Sequence, residues 1–128
     1  MRRALCLLLF VAVAGGCAPA APRTVTIGIH YSHYSISEVE VPAGVPVTFT
    51  IRNDDPIDHE WMVGDMAMHE RHRLGTEAVH ASRPDEVTIP ALSTRTTTLT
   101  FPVPVTLEYM CHLPGHEQYG MVGVLVAK

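Results

Sequence analysis

The sequence predicts an all-β fold, a Greek-key β-sandwich of about seven to eight short strands with one short helix in a long loop. Three observations carry this. Apolar and polar residues alternate with period two in several runs, clusters of Pro, Gly, Asn and Asp punctuate those runs, and the folding part is short enough for a single core.

The 128-residue chain opens on Met1-Arg2-Arg3, an apolar run from Ala4 to Ala14, and then Gly15-Gly16-Cys17. A charged start, a short apolar stretch and small residues before a cut site read as an export signal over residues 1–16. The run is about half of the roughly 20 residues a membrane-crossing helix needs. Small residues directly before Cys17 resemble a bacterial lipobox, in which that Cys becomes the lipidated first residue of the mature chain. Ala14 stands where such a box usually has Leu, and cleavage after Ala18 or Ala21 is the alternative. Residues 17–23 then form a flexible Pro- and Ala-rich tether, and residues 24–128 the domain.

Within the domain, Val25, Ile27 and Ile29 share one face, and Val39 and Val41 alternate with Glu38 and Glu40. Val45, Val47, Phe49 and Ile51 alternate with Pro46, Thr48, Thr50 and Arg52, and Thr97, Leu99 and Phe101 repeat the pattern, as do Val105, Leu107 and Tyr109. The last run, Met121 to Ala127, is apolar enough to be a central strand. Pro42-Ala43-Gly44, Asn53-Asp54-Asp55-Pro56 and Pro102-Val103-Pro104 mark turns or edges. Residues 65–83 lose the alternation, and Met66 to Leu74 is rich in helix formers.

Charge excludes one class of partner. Removing residues 1–16 takes Arg2 and Arg3 from the nine Lys and Arg and none from the thirteen Asp and Glu, so the mature chain is acidic and offers no basic stripe to nucleic acid. Of the three cysteines, Cys6 falls in the signal and Cys17 at its end, which leaves Cys111 alone in the folded body. A lone thiol in an exported domain, where disulfides are the rule, calls for a reason such as metal ligation.

The stretch from Tyr109 to Met121 supplies that reason. Cys111 has the inward parity of Val105, Leu107 and Tyr109; Pro114-Gly115 turns the chain, His116 returns over the same place, and Gly120 delivers Met121 to the last strand. His59 shares parity with Trp61 and Val63 and follows the turn after the Val45–Arg52 strand. Two imidazoles, a thiolate and a distant thioether make the trigonal site with a weak axial Met that suits copper. Any one of these residues alone would read as a surface His, a core Met or a buried small Cys. Zinc shares the ligand types, although copper binds them more tightly.

These residues resemble the cupredoxin family, the plastocyanin, azurin and rusticyanin group. Val41-Pro42-Ala43-Gly44-Val45-Pro46-Val47-Thr48-Phe49 is similar to the family's strand before the first ligand, Asn53 through His59 to its approach to that ligand, and Gly120-Met121-Val122-Gly123 to its final strand. The C-x4-H-x4-M spacing is closest to rusticyanin-like bacterial members. The resemblance implies a blue copper protein, one copper held by His59, Cys111, His116 and Met121, that passes single electrons to redox partner proteins through the edge of His116, with Leu113, Pro114 and Ile57 as an apolar rim. Where many members carry Asn or Ser after the first His, this chain has Glu60, a possible competing oxygen ligand. His112 is expected to point away from the site.

With all four positions taken by protein, no place remains for substrate, and the chain is not expected to be an enzyme. The expected setting is outside the cytoplasm, as a monomer tethered by lipid at Cys17. The rival reading is copper storage or delivery, prompted by Met66, Met68, His69, His72 and His80. The charged neighbours Glu70, Arg71 and Arg73 favour a solvated helix face without a second tight copper.

Overall fold

The computed structural model describes residues 23–76 and 83–128, so the expected signal, Cys17 and His80 lie outside the described residues. Among the described residues, nine strands and one helix follow in order: β1 (Arg23–His30), β2 (His33–Tyr34), β3 (Glu38–Val41), β4 (Pro46–Asn53), β5 (His59–Gly64), α1 (Met66–Arg73), β6 (Glu86–Ile89), β7 (Thr94–Thr100), β8 (Val105–Met110) and β9 (Val122–Ala127). One sheet has the order β2-β1-β4-β7 and the other β3-β9-β8-β5-β6. The pairs β1–β4 and β3–β9 are parallel, so each requires a crossover, and these crossovers tie the two layers of the sandwich together.

Period-two alternation decides which side chains fill the space between the sheets. Val25, Ile27 and Ile29 of β1 and Val47, Phe49 and Ile51 of β4 are buried, and the residues between them are exposed or half-buried. From the opposite sheet come Val39, Val41, Trp61, Val63, Tyr109 and Leu125. Trp61 lies at the centre, with ring centroids 5.0 Å from Phe49 and 6.2 Å from Tyr109. A core of this kind, aromatic and β-branched, makes a stiff platform for whatever its end loops carry.

Strand β5 departs from the alternation, because every residue from His59 to Gly64 is buried. Its inner face meets the core, and its outer face is covered by α1, which packs on this strand. The helix is capped by Asp65, whose carboxylate accepts a 2.7 Å hydrogen bond from the Met68 N–H. It ends at Arg73, one residue before the expected limit. The two strands that alternation did not reveal are β2, only two residues long, and β6.

Candidate metal centre

The turn between β4 and β5 positions His59. The Asn53 side-chain N–H group donates to the carbonyls of Ile57 and Pro90 at 2.8 and 3.0 Å, and its oxygen accepts from the Asp55 N–H at 2.9 Å. That frame aims Asp55 inward. Its carboxylate accepts from the backbone N–H groups of Tyr31 and Ser32, both at 2.7 Å, and lies 2.9 Å from His59 Nε2. Tyr31 and Ser32 form the two-residue β1–β2 hairpin turn with φ of 51° and 56°, the left-handed pair such a turn demands and that residues other than Gly adopt reluctantly. One buried carboxylate therefore braces a strained turn and orients an imidazole. Burial works against ionising Asp55, but the Ser32 and Tyr31 N–H groups and His59 outweigh it and hold the carboxyl below its ordinary range.

With Nε2–H donated to Asp55, His59 turns Nδ1 toward the other donors. It stands 3.2 Å from Nδ1 of His116, which in turn is 3.3 Å from the Cys111 sulfur. One ligand atom from each of His59, Cys111 and His116 thus lies within 4.8 Å of the others. His59 and Cys111 are fully buried, and His116 is partly exposed. The loop that brings them together is closed at its neck. The Met121 N–H donates to the His116 carbonyl at 3.0 Å, and the Cys111 N–H donates to the Met121 carbonyl at 3.1 Å. Gly120, with φ of 90°, supplies the backbone bend that leads into Met121, the residue before β9, whose side chain is fully buried.

Electrostatics suit a soft metal. Burial pushes the Cys111 thiol up, while backbone N–H groups of Leu113 and Glu60 pull the other way. The Glu60 N–H approaches the sulfur at 3.4 Å, a contact that favours the thiolate once a metal replaces the proton. Burial, followed by the neighbouring His59, lowers the His116 pKa and keeps its imidazole neutral. Two imidazole nitrogens, one thiol and the thioether of Met121 fit copper better than they fit a hard cation.

Several residues occupy places that sequence reasoning did not foresee. Glu60 is not turned toward His59, Cys111 and His116: its Oε2 lies 3.3 Å from His72 Nε2 and accepts from the His112 N–H at 3.3 Å, because the side chains of adjacent strand residues point to opposite faces. His69 is fully buried and His72 nearly so, which corrects the expectation of a solvated helix face. His69 Nδ1 sits 2.9 Å from His112 Nε2, and His69 Nε2 sits 3.2 Å from the Glu108 carbonyl. His112 points away from Cys111 as expected, yet it is packed between His69 and His72 and not at the surface. Asp55 is the functional residue the sequence did not single out. It lies four residues before His59 in a turn cluster, and only the hairpin that folds over it reveals its role.

A model of the cupredoxin-like domain matches residues 3–122. The copper-resistant cuproprotein CopI of Pseudomonas aeruginosa is 26% identical over 143 aligned positions, covering 87% of this chain and 79% of that protein. CopI of Rubrivivax gelatinosus is 29% identical, with 88% and 71% covered. Among solved structures, auracyanin A, a blue copper protein of Chloroflexus aurantiacus, superposes with a TM-score of 0.66 at 26% identity, over 84% of this chain and all of that one. Auracyanin of Roseiflexus castenholzii gives 0.69 at 22% identity, over 85% and 99%. The family match runs through nearly the whole sequence, and the chain belongs to the cupredoxin-like domain family.

Proposed function

We propose that this protein is a one-electron carrier in which His59, Cys111, His116 and, as a weak axial ligand, Met121 hold a single copper ion. The observation that carries the reading is the closed donor group at the end of a rigid core: His59, Cys111 and Met121 are fully buried, and His116 alone reaches toward solvent. Copper in such a set moves between its monovalent and divalent states with little change in geometry. The chain's own part is to keep that geometry. Asp55 fixes the His59 tautomer, the Glu60 N–H stabilises the thiolate, and the two backbone bonds at the loop neck hold His116 against the site. In this reading the partly exposed His116 edge is where redox partner proteins dock, with Leu113 and Pro114 of the same loop and the exposed Ile57 as its apolar rim.

Export through residues 1–16 and a lipid at Cys17 place this carrier on a membrane surface outside the cytoplasm. Among the described residues no helix is long and apolar enough to cross a membrane. A second reading, storage or delivery of copper, is favoured by the names of both CopI relatives, which are copper-resistant cuproproteins. The two readings separate in one experiment on the Cu(I) form, offered first an oxidised small-protein acceptor and then a strong Cu(I) chelator. An electron carrier is oxidised quickly and keeps its copper, and Leu113→Lys slows the oxidation with the visible spectrum unchanged. Rapid loss of Cu(I) to the chelator with slow electron exchange would favour delivery instead.

A further inference from the structure

A second donor group lies behind the first. We infer that Glu60, His72 and Glu86 form a distinct cation site, suited to a divalent ion of the Zn2+ or Cu2+ type. One ring nitrogen of His72 and one oxygen from each carboxylate all lie within 4.8 Å of one another. The His72 ring faces Glu60 with Nε2 at 3.3 Å and Glu86 with Nδ1 at 3.7 Å. Donors about 2.0–2.1 Å from a tetrahedral zinc ion stand about 3.3–3.4 Å apart, so binding through one ring nitrogen needs the three donors to close from within 4.8 Å to that spacing.

Burial distinguishes this group from a surface cluster. The side chains of Glu60, His72 and Glu86 are 7%, 6% and 1% exposed. Buried donors hold a cation more strongly than a solvated surface cluster does, because less water screens the attraction. The three residues come from three elements, β5, α1 and β6, that are already packed together, so binding orders little new chain. One imidazole and two carboxylates are borderline and hard donors, which select Zn2+ or Cu2+ and leave Cu(I) to the thiolate site.

The two sites share a residue. Glu60 offers its carboxylate to the second site and to the His112 N–H, and its own backbone N–H to the Cys111 sulfur. A cation held by Glu60 therefore acts on the copper thiolate through one residue and shifts its charge-transfer band.

Zn2+ added to protein already loaded with copper tests this. The expected result is one zinc per chain retained through gel filtration with copper undiminished, a shifted visible band, and loss of that zinc in both Glu86→Gln and His72→Ala while each variant keeps its copper band. No retained zinc in the wild type would overturn the inference. Zinc retained equally by both variants, or taken up only as copper leaves, would also overturn it. Should a variant lose its copper band, X-ray absorption of zinc in the wild type decides: oxygen and nitrogen ligands with one imidazole support the site, and sulfur contradicts it. A failure of the copper assignment shows separately, as absence of the visible band before zinc is added.

Discussion

Asp55 does the work of two residues. A charged acceptor for a backbone N–H contributes about 1.5–3 kcal/mol, and a partner that orients a ligating His typically changes metal affinity 10- to 100-fold. Asp55→Asn retains one acceptor oxygen for three donors, Tyr31 N–H, Ser32 N–H and His59 Nε2–H. The metal-free variant is expected to lose about 2–3 kcal/mol in urea denaturation, and copper affinity to fall at least tenfold. Replacing Tyr31-Ser32 by Asn-Gly, which enters this turn without strain, should restore stability but not affinity. Recovery of both would reduce Asp55 to a turn brace.

His112 sets a pH dependence at the same scale. Burial first, then the nearby His69 and His72, push it down from 6.5 to about 4. A folded-state value below the unfolded one means that the unfolded chain takes up the proton first, so stability is intact above about 6.5 and declines as pH falls toward about 4. In metal-free protein the urea midpoint is expected to be flat above that window and to drop through it, and His112→Gln should lessen the drop. An equal slope in the variant would assign the effect elsewhere.

At the level of elements, β8 and β9 are held by close approach as much as by hydrogen bonds. Gly123 pairs with Tyr109, and a Cβ at Gly123 would stand 2.2 Å from Tyr109 Cζ. Tyr109 is fully buried and its hydroxyl donates to the Ile36 carbonyl, so the ring has nowhere to go. Gly123→Ala is expected to cost about 1–3 kcal/mol, the range for overpacking a core, and to loosen the strand that follows Met121. Unchanged thermal stability would show that the sheet yields there.

These elements also mark what could be seen from residues alone. Alternation located β1, β3, β4 and β8, and parity put His59 and Cys111 on the inner face, because a two-residue period leaves no other choice when one face is wet. It could not locate β6, whose four residues Glu86-Val87-Thr88-Ile89 end in one apolar residue and begin with a buried acid. Nor could it show that α1 is inward-facing. Its buried residue is His69 and not an aliphatic one, so no apolar stripe betrays the packed side. The second cation site was hidden for the same reason: Glu60, His72 and Glu86 converge only once α1 and β6 flank β5.

On the scale of the whole molecule, the sandwich separates two donor groups by hardness. His59, Cys111 and His116 bring together sulfur and imidazole, and Glu60 of β5 with His72 of α1 and Glu86 of β6 bring together carboxylate and imidazole. The chain's formal charge of -4 with His neutral gives it an overall field that repels polyanions.

The Cys111 sulfur is the part of the proposed copper centre that nothing else in the described fold can replace, since no other cysteine lies among the described residues. The most direct measurement is the visible absorption of copper-loaded wild type and Cys111→Ser, each with its copper content. The wild type is expected to show an intense charge-transfer band at one copper per chain, and Cys111→Ser to lack that band whatever copper it retains. A wild type that binds one Cu(II) per chain and stays colourless, or a band that survives Cys111→Ser, would contradict the assignment.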